Sequence, residues 1–279
     1  MTWSALAVAR VRDVHARAPF FIADTAVGSV ARADLPALRA WPQWLTVHGD
    51  ALLLTAADPS AALATINAAL GQQGRVRAWR DEFYAICDPV SGARLARTER
   101  AASRFWGTLT MGAHVNGYVP DAQGRPAQLW IARRSATKAT DPGLLDNLVG
   151  GGVPDGQTPM QTLVREGWEE AGLTPAQMAL ARAGRVIRLR RDIPEGLQRE
   201  DLHSYDLALA PGWVPHNQDG EVAAFECLPV AHALALAATD QMTVDAALVT
   251  LDFALRHGLL DATQAAALQV ASADLWTKA

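Results

Sequence analysis

The stretch GGGVPDGQTPMQTLVREGWEEAGL, residues 150–173, carries the strongest local signals in this sequence. Thr158 is a good helix N-cap, and Gln161, three residues later, completes a capping box. Gly172 suits the left-handed conformation that ends many helices. The stretch therefore predicts a glycine-rich loop followed by a helix over about 159–171.

The predicted helix has an acidic face. Glu166, Glu169 and Glu170 fall within an arc of roughly 100° that does not overlap the apolar arc. Their mutual repulsion and their position in the C-terminal half of the helix both disfavour three negative charges. Arg165 offsets only part of this. A hard cation such as Mg²⁺ would offset the rest, because carboxylate oxygens suit it. An ordinary solvated acidic face is the alternative.

Three consecutive glycines, Gly150 to Gly152, precede the helix. Because they have no side chains, their backbone can approach a ligand closely, and a carbonyl there could complete a metal shell. The glycine loop and the acidic face together favour a metal site over a plain surface.

Length, composition and charge limit which classes of protein this chain can belong to. The 279 residues, half of them hydrophobic, allow one large domain or two small ones. A net charge of −4 argues against nucleic acid as a partner. No apolar run is long enough for a membrane span, and charges interrupt the segment Met1 to Phe21, so we expect no signal peptide and a cytoplasmic location. Cys87 and Cys227 are too few for a disulfide scaffold or a four-thiolate zinc site.

Sequence patterns divide the chain near Arg104 into an N-terminal α+β accessory domain, 1–104, and a second domain with C-terminal helices, 105–279. The elements expected in the first are a helix over Val8–Arg17, strands at 20–22, 52–54 and 83–86, and a helix from Pro59 to Leu70 capped by Asp58. The elements expected in the second, besides the helix over 159–171, are a hairpin of strands 110–119 and 128–132, strands at 184–189, 202–209 and 221–228, and helices over 243–257 and after Asp261.

A known family shares this motif. The residues that resemble the Nudix box of the MutT-like Nudix hydrolases are Gly151, Arg165–Glu166, Glu169–Glu170 and Gly172–Leu173. Two positions depart from the pattern: Gln157 stands where the family has its first Glu, and Gly167 replaces a larger apolar residue. Because Gln157 carries no charge, we expect an altered charge balance around Arg165. The resemblance implies an α/β fold, the Nudix α/β/α sandwich with a mixed sheet, preceded by the small α+β domain.

The resemblance also implies the roles of the box residues. Glu166, Glu169, Glu170 and the carbonyl of Gly151 would bind Mg²⁺, with Mn²⁺ as the alternative ion. Arg165 would orient the glutamates. The implied activity is that of a pyrophosphatase, which splits a diphosphate linked to another group by attack of water on phosphorus.

One carboxylate should act as the base in this reaction. Glu169 and Glu170 are candidates by their position in the box, and Glu221 is a third because it begins a predicted strand after a loop. For Glu221 a salt-bridged residue at a sheet edge is the alternative.

Candidate substrate contacts lie outside the helix. Arg133, Arg134 and Lys138 follow a predicted strand and could bind phosphates, with a solvated basic turn as the alternative. His114 and Asn116 lie on a predicted strand among apolar neighbours. They are candidates for the substrate pocket or polar groups satisfied within the core.

A narrower resemblance extends over most of the chain. It is carried by residues 113–118, 129–135, 138, 146–147, 219–222 and 256–258, together with Trp79–Arg80, Glu82 and Thr98–Arg100. These look like a Nudix subfamily with an extra N-terminal domain, related to the Nudix part of thiamine pyrophosphokinase-associated proteins. The resemblance implies thiamine diphosphate or its oxidised derivatives as substrate, cleaved to monophosphate and phosphate.

Three alternatives stay open. They are a non-catalytic ligand-sensing module on a Nudix fold, a hydrolase of a nucleoside diphosphate derivative, and an isomerase of isoprenoid diphosphates, which would want a catalytic cysteine. The expected partner is a small-molecule diphosphate, with neither nucleic acid nor a membrane. The sequence does not reveal the oligomeric state, and a homodimer is compatible with it.

Overall fold

The computed structural model describes residues 2–276. Met1 and residues 277–279, the outer ends of the two predicted domains, lie outside the described residues. Within the described part, no helix is both long enough and apolar enough to cross a membrane.

The N-terminal region packs a small sheet under two helices. Its elements are α1 (Ser4–Val8), β1 (Arg17–Ile22), β2 (Thr25–Ala31), α2 (Leu35–Leu38), β3 (Leu45–His48), β4 (Ala51–Leu54), α3 (Pro59–Gln72), β5 (Phe83–Cys87), β6 (Arg94–Glu99) and α4 (Arg100–Trp106). The sheet has the order β2-β1-β4-β3, and β5 and β6 form a separate hairpin. Phe20 of β1, Leu63 of α3 and Trp106 of α4 are fully buried in one shared core.

The second region is built on a larger sheet. Its elements are β7 (Thr110–Pro120), β8 (Pro126–Arg134), β9 (Leu145–Asp146), β10 (Val149–Gly152), α5 (Pro159–Ala171), α6 (Pro175–Met178), β11 (Arg182–Ile193), β12 (Gly196–Ala208), β13 (Val222–Pro229), α7 (Val230–Ala237), α8 (Val244–Arg256) and α9 (Ala262–Ser272). The strands follow the order β11-β12-β7-β8-β13, with β10 paired to β7 and β9 to β8. Because β7 and β12 are parallel while β7 and β8 are antiparallel, the sheet is mixed.

Helices cover both faces of this sheet. On one face, Phe253 of α8 packs in a cluster with Ile131 of β8. On the other face, Leu163 of α5 packs in a cluster with Val115 and Trp130. Ile131 and Trp130 are neighbours in β8 and join opposite clusters, as the alternation of side chains along a strand requires. This is the predicted α/β/α sandwich.

Local signals set the position of α5. The Thr158 hydroxyl accepts a hydrogen bond from the Gln161 backbone N–H, and Gln161 Oε1 accepts one from the Thr158 N–H. Pro159 occupies the start of the helix, and Gly172 ends it with φ at 69°. The predicted helix is confirmed, and its caps fix which residues face the glycine loop.

The predicted helix over Val8–Arg17 is wrong. α1 already ends at Val8, and the chain then runs beside β11, where the Arg190 N–H donates to the Ala9 carbonyl at 3.1 Å. Hydrogen bonds to a distant strand thus satisfy this backbone instead of helical ones. The valines spaced three apart are exposed and form no buried face: Val8, Val11 and Val14.

Helix α4 crosses the predicted boundary between residues 104 and 105. Phe105 and Trp106 at the end of α4 pack into the N-terminal core. The division into 1–104 and 105–279 stays a prediction.

Candidate active site

A cavity of about 520 Å³ lies between the N-terminal region and the glycine loop. Gly150, Gly151 and Gly152 line one part of it, while Tyr84 and Arg100 of the N-terminal region line another. Its volume falls in the range of small-molecule sites. The glycine loop therefore borders a cavity that is partly open to solvent, as a ligand-binding loop should.

The acidic face of α5 is turned inward. Glu166 and Glu170 are only 8% and 5% exposed, and the Glu169 side chain is 37% exposed. Buried carboxylates are rare unless a partner compensates their charge. The alternative of a solvated acidic face is wrong for Glu166 and Glu170.

Arg165 binds two of the three glutamates. It donates from Nη2 to Glu166 Oε1 and from Nη1 to Glu169 Oε2, both at 2.8 Å. Gln157 lies apart from this group, and its Oε1 accepts from the Thr162 hydroxyl at 3.1 Å. Arg165 is therefore balanced by two carboxylates of its own helix, and position 157 takes no part in that balance.

Glu170 is held by the glycine loop and by Lys138. Its Oε2 accepts from the Gly150 N–H at 3.0 Å, and its Oε1 lies 3.6 Å from Lys138 Nζ. Burial nevertheless raises the pKa of the Glu170 carboxyl to about 8, against the opposing charge of Lys138. Burial raises the pKa of Glu166 as well.

Glu221 joins the same group through Lys138. The Lys138 ammonium also donates to the Glu221 carboxylate, so one buried lysine bridges two of the predicted base candidates. Burial works against ionisation of Glu221, but the hydrogen bond and charge of Lys138 outweigh it and lower the pKa. The expectation that Glu221 reaches the site from outside the helix agrees with this geometry.

Gly151 lies directly against Glu166. A Cβ added to Gly151 would lie 2.5 Å from Glu166 Oε1, and one added to Gly150 would lie 2.7 Å from the His114 ring. These contacts leave no room for side chains in the loop. The close approach expected of the three glycines is therefore present.

The donor set suits a hard metal ion by its chemistry. It consists of carboxylates and a backbone carbonyl, the ligands that Mg²⁺ takes in proteins. In residues 2–276, however, no three His, Cys, Asp or Glu side chains are gathered into a ready-made metal cluster. Arg165 and Lys138 occupy carboxylate oxygens that a metal would share. The predicted metal ligands stay a prediction.

Both predicted phosphate-binding arginines are bound to other groups. Arg134 lines the cavity, but it donates to Asp146 Oδ2 at 2.7 Å and to the Thr140 carbonyl at 2.8 Å. Arg133 is not among the lining residues, and it donates to the Gly143 carbonyl at 3.0 Å. Arg134 braces the loop between β8 and β9, a role that the sequence did not indicate.

His114 and Asn116 lie in different environments. His114 lines the cavity, with Nδ1 3.0 Å from Asn147 Oδ1. Asn116 is 2% exposed, accepts from Asn147 Nδ2 at 3.1 Å and donates to the Val249 carbonyl at 3.3 Å. The geometry favours the core alternative for Asn116 and leaves His114 facing the cavity.

Sequence reasoning missed the N-terminal residues of the cavity. Arg80, Tyr84, Arg100 and Arg104 all line it. The one available signal was that residues 79–82 and 98–100 are part of the narrower family resemblance, which assigned them no chemistry.

Comparisons with known proteins agree with this architecture. The NUDIX domain matches residues 111–248, and the Domain of unknown function (DUF4743) matches residues 5–110. Nudix hydrolase 24, chloroplastic, of Arabidopsis thaliana is 34% identical over 250 residues, which cover 87% of this chain and 68% of that protein. Nudix hydrolase 20, chloroplastic, of the same plant is 39% identical over 206 residues, covering 73% of this chain and 54% of that protein. A solved structure from Deinococcus radiodurans has a TM-score of 0.46 at 24% identity, covering 62% of this chain and 99% of that one.

The chain therefore belongs to the Nudix hydrolase family, and the predicted family and fold are confirmed. It spans 54% of the length of one plant relative and 68% of the other. The relation to thiamine pyrophosphokinase stays a prediction. So does the cytoplasmic location, since both plant relatives are named chloroplastic.

Proposed function

We propose that this protein is a metal-dependent diphosphohydrolase that cleaves a small organic diphosphate to a monophosphate and phosphate. One observation carries the proposal: the inward-facing glutamates of α5 lie against the glycine loop, which borders the cavity. Glu166 touches Gly151, and Glu170 accepts from the Gly150 N–H at 3.0 Å. A loop without side chains beside two buried carboxylates suits phosphate chemistry at a hard metal.

The metal would be held by Glu166, Glu169, Glu170 and the carbonyl of Gly151. A bound Mg²⁺ or Mn²⁺ supplies neutralisation of phosphate charge and a lowered pKa for water. For such binding the carboxylates have to give up part of their pairing with Arg165 and Lys138, since both cations lie against carboxylate oxygens.

Glu169 is the base that the geometry supports best. Arg165 holds its Oε2 at 2.8 Å, while within residues 2–276 its Oε1 has no hydrogen-bond partner. The side chain is 37% exposed, so water can reach it. These two features support Glu169 as the group that accepts the proton of the attacking water. Glu170, which is buried with a raised pKa, and Glu221, which is paired with Lys138, are less free to do so.

The substrate class follows from the cavity and from the family resemblance. About 520 Å³ accommodates a small organic diphosphate. Thiamine diphosphate and its oxidised derivatives are the first candidates, because the narrower resemblance covers both regions of the chain. A nucleoside diphosphate derivative is the alternative of the same size.

A ligand-sensing module is the second candidate function. It is favoured by the pairing of the α5 glutamates with Arg165 and Lys138, which stabilises the carboxylates without a metal. The isomerase alternative has lost support, because neither Cys87 nor Cys227 lines the cavity.

A substrate panel tests the proposal. The full chain is incubated with Mg²⁺ or Mn²⁺ and with thiamine diphosphate, its oxidised derivatives, and nucleoside and dinucleotide diphosphates, and the release of monophosphate and phosphate is measured. We expect turnover of at least one compound, which a chelator abolishes. Tight calorimetric binding without product on any compound would establish the sensing module instead.

A further inference from the structure

The cations of the second region leave little positive charge for a substrate. Lys138 is shared between Glu170 and Glu221, and Arg165 between Glu166 and Glu169. The two predicted phosphate-binding arginines are also near carboxylates: Arg134 with Asp146 at 2.7 Å and Arg133 with Glu226 at 3.9 Å. Arg199, which also lines the cavity, donates to the Val27 carbonyl at 3.2 Å. A diphosphate with several negative charges needs a further cation at this site.

The N-terminal region supplies one. Arg80 lines the cavity, and within residues 2–276 its guanidinium makes neither an ion pair nor a hydrogen bond. Arg100 also lines the cavity, and its ion pair among the described residues is with Glu82, at 2.7 Å. Arg100 also lies near the glycine loop, because a Cβ added to Gly152 would lie 3.4 Å from Arg100 Nη2. The pair therefore lies at the glycine-loop end of the cavity.

Hydrogen bonds hold the two arginines together. Glu99 Oε1 accepts from the Arg80 backbone N–H at 2.9 Å, and the Arg100 N–H donates to the Glu82 carbonyl at 2.8 Å. The segments 80–82 and 99–100, although separate in sequence, thus form one unit. Arg80 and Arg100 are presented from a common, fixed backbone.

This unit is fastened to the glycine loop. The Asp155 N–H donates to the Phe83 carbonyl at 2.7 Å, and Arg94 forms an ion pair with Asp155 at 2.7 Å. Tyr84, 6% exposed, fills the space beside Gly152. The N-terminal hairpin therefore sets the position of the arginines relative to the site on α5.

Carboxylates mark the other part of the cavity. Glu200 and Asp245 line it and are joined by Gln198, whose Nε2 donates to both. A phosphate placed beside them would meet two like charges. The anionic end of a ligand is therefore expected at Arg80 and Arg100, next to the glycine loop.

We infer that Arg80 and Arg100 of the N-terminal region form an anion-binding pair that holds the diphosphate of the substrate beside the glycine loop. The inference rests on the proposed function and deepens it, because it gives the N-terminal region a role in substrate binding. Two guanidinium groups can bind phosphate oxygens with paired N–H donors, which favours a diphosphate over a neutral ligand.

Binding of inorganic pyrophosphate with Mg²⁺ to the full chain, measured by calorimetry, tests the inference. We expect Arg80→Gln to weaken binding about 10-fold or more, because a charge-assisted hydrogen bond is lost. The affinity of Arg80→Lys, which keeps the charge but loses the planar guanidinium group, should lie between those of wild type and Arg80→Gln. The matched control is Arg39→Gln, since Arg39 is exposed, makes no side-chain hydrogen bond or ion pair in the described residues, and is not among those lining the cavity.

Each possible result either supports or overturns the inference. Equal affinity of wild type and Arg80→Gln, or equal weakening by Arg39→Gln, would overturn the inference, as would wild type that binds no pyrophosphate. Hydrolysis of a panel substrate with the same KM in wild type and Arg80→Gln also overturns it while leaving the proposed function intact. Arg80-dependent binding of pyrophosphate without hydrolysis of any substrate removes the proposed function and supports the binding pair.

Discussion

Gly152 lies against the hydroxyl of Tyr84: a Cβ added to the glycine would lie 1.6 Å from that oxygen. Gly152 belongs to the loop beside the α5 glutamates, and Tyr84 belongs to the N-terminal hairpin. The two regions therefore meet at the candidate active site, and the absence of one side chain lets them do so.

We predict that Gly152→Ala destabilises the protein by about 1–3 kcal/mol, the usual cost of overpacking a closed site. Tyr84 is a rigid ring that is 6% exposed, so it cannot easily yield. Urea denaturation measures the effect. Gly71→Ala is the control, because its added Cβ would meet nothing closer than 3.7 Å. An equal stability of Gly152→Ala and wild type would contradict the packing described.

The altered charge balance expected from Gln157 can be tested directly. Arg165 is paired with Glu166 and Glu169, and the Gln157 side chain bonds only Thr162 in the described part of the chain. We predict that Gln157→Glu changes kcat/KM by less than about twofold, which is about 0.4 kcal/mol. Steady-state kinetics on the substrate found in the panel check this. A tenfold gain in kcat/KM would show that the missing glutamate limits activity.

Stability should depend on pH through Asp245. Burial, and then the charge of Glu200, raises the pKa of Asp245 to about 6, against about 3.9 in an unfolded chain. Between these values the folded state keeps a proton that the unfolded chain has lost, so stability falls as the pH rises from about 4 to 6. We predict that Asp245→Asn raises Tm relative to wild type at pH 7.5, and by less at pH 4.

The control for this comparison is Asp240→Asn, at an exposed position. Its Tm difference from wild type should be the same at both pH values. A Tm difference for Asp245→Asn that does not change with pH would show that this carboxyl is ionised as readily in the folded protein as in the unfolded chain.

Arg256 stabilises two buried carboxylates behind the sheet. It donates to Asp206 Oδ1 at 2.9 Å and to Asp252 Oδ2 at 2.7 Å, and these aspartates are 5% and 0% exposed. Removal of the arginine leaves Asp206 with His257 and leaves Asp252 with Ser204 and Arg185, so each buried charge loses its best-placed cation. We predict that Arg256→Ala lowers the free energy of unfolding by about 3–5 kcal/mol. Arg39→Ala is the exposed control in the same urea denaturation, and a loss below about 1 kcal/mol for Arg256→Ala would contradict the prediction.

Features that depend on neighbours in sequence were predictable. The caps of α5 and α3 are local, and so is the turn that joins β7 and β8 into a hairpin. The segment 8–17 was predicted wrongly because its backbone bonds a strand far away in sequence. Apolar spacing carries no information about such a partner.

The residues of the candidate site also fall into a group that the sequence predicts and a group that it does not. The three glutamates and the glycine loop lie within one stretch of about 20 residues, and their spacing showed that they belong together. The Lys138 bridge to Glu170 and Glu221 joins three separate segments. Arg80 lines the same cavity as the loop only through the docking of the N-terminal hairpin. Such long-range placement follows from tertiary packing, which a single sequence does not display.

The rate of monophosphate release, compared between wild type and the double variant Glu169→Gln plus Glu170→Gln, tests the central claim most directly. Glu226→Gln, on a side chain that is 53% exposed, is the matched control, and thermal unfolding verifies that all three proteins are folded. We predict that the double variant loses at least about 100-fold in kcat, the size of a lost general base, while Glu226→Gln keeps wild-type activity. A folded double variant that hydrolyses the substrate at the wild-type rate would contradict the account.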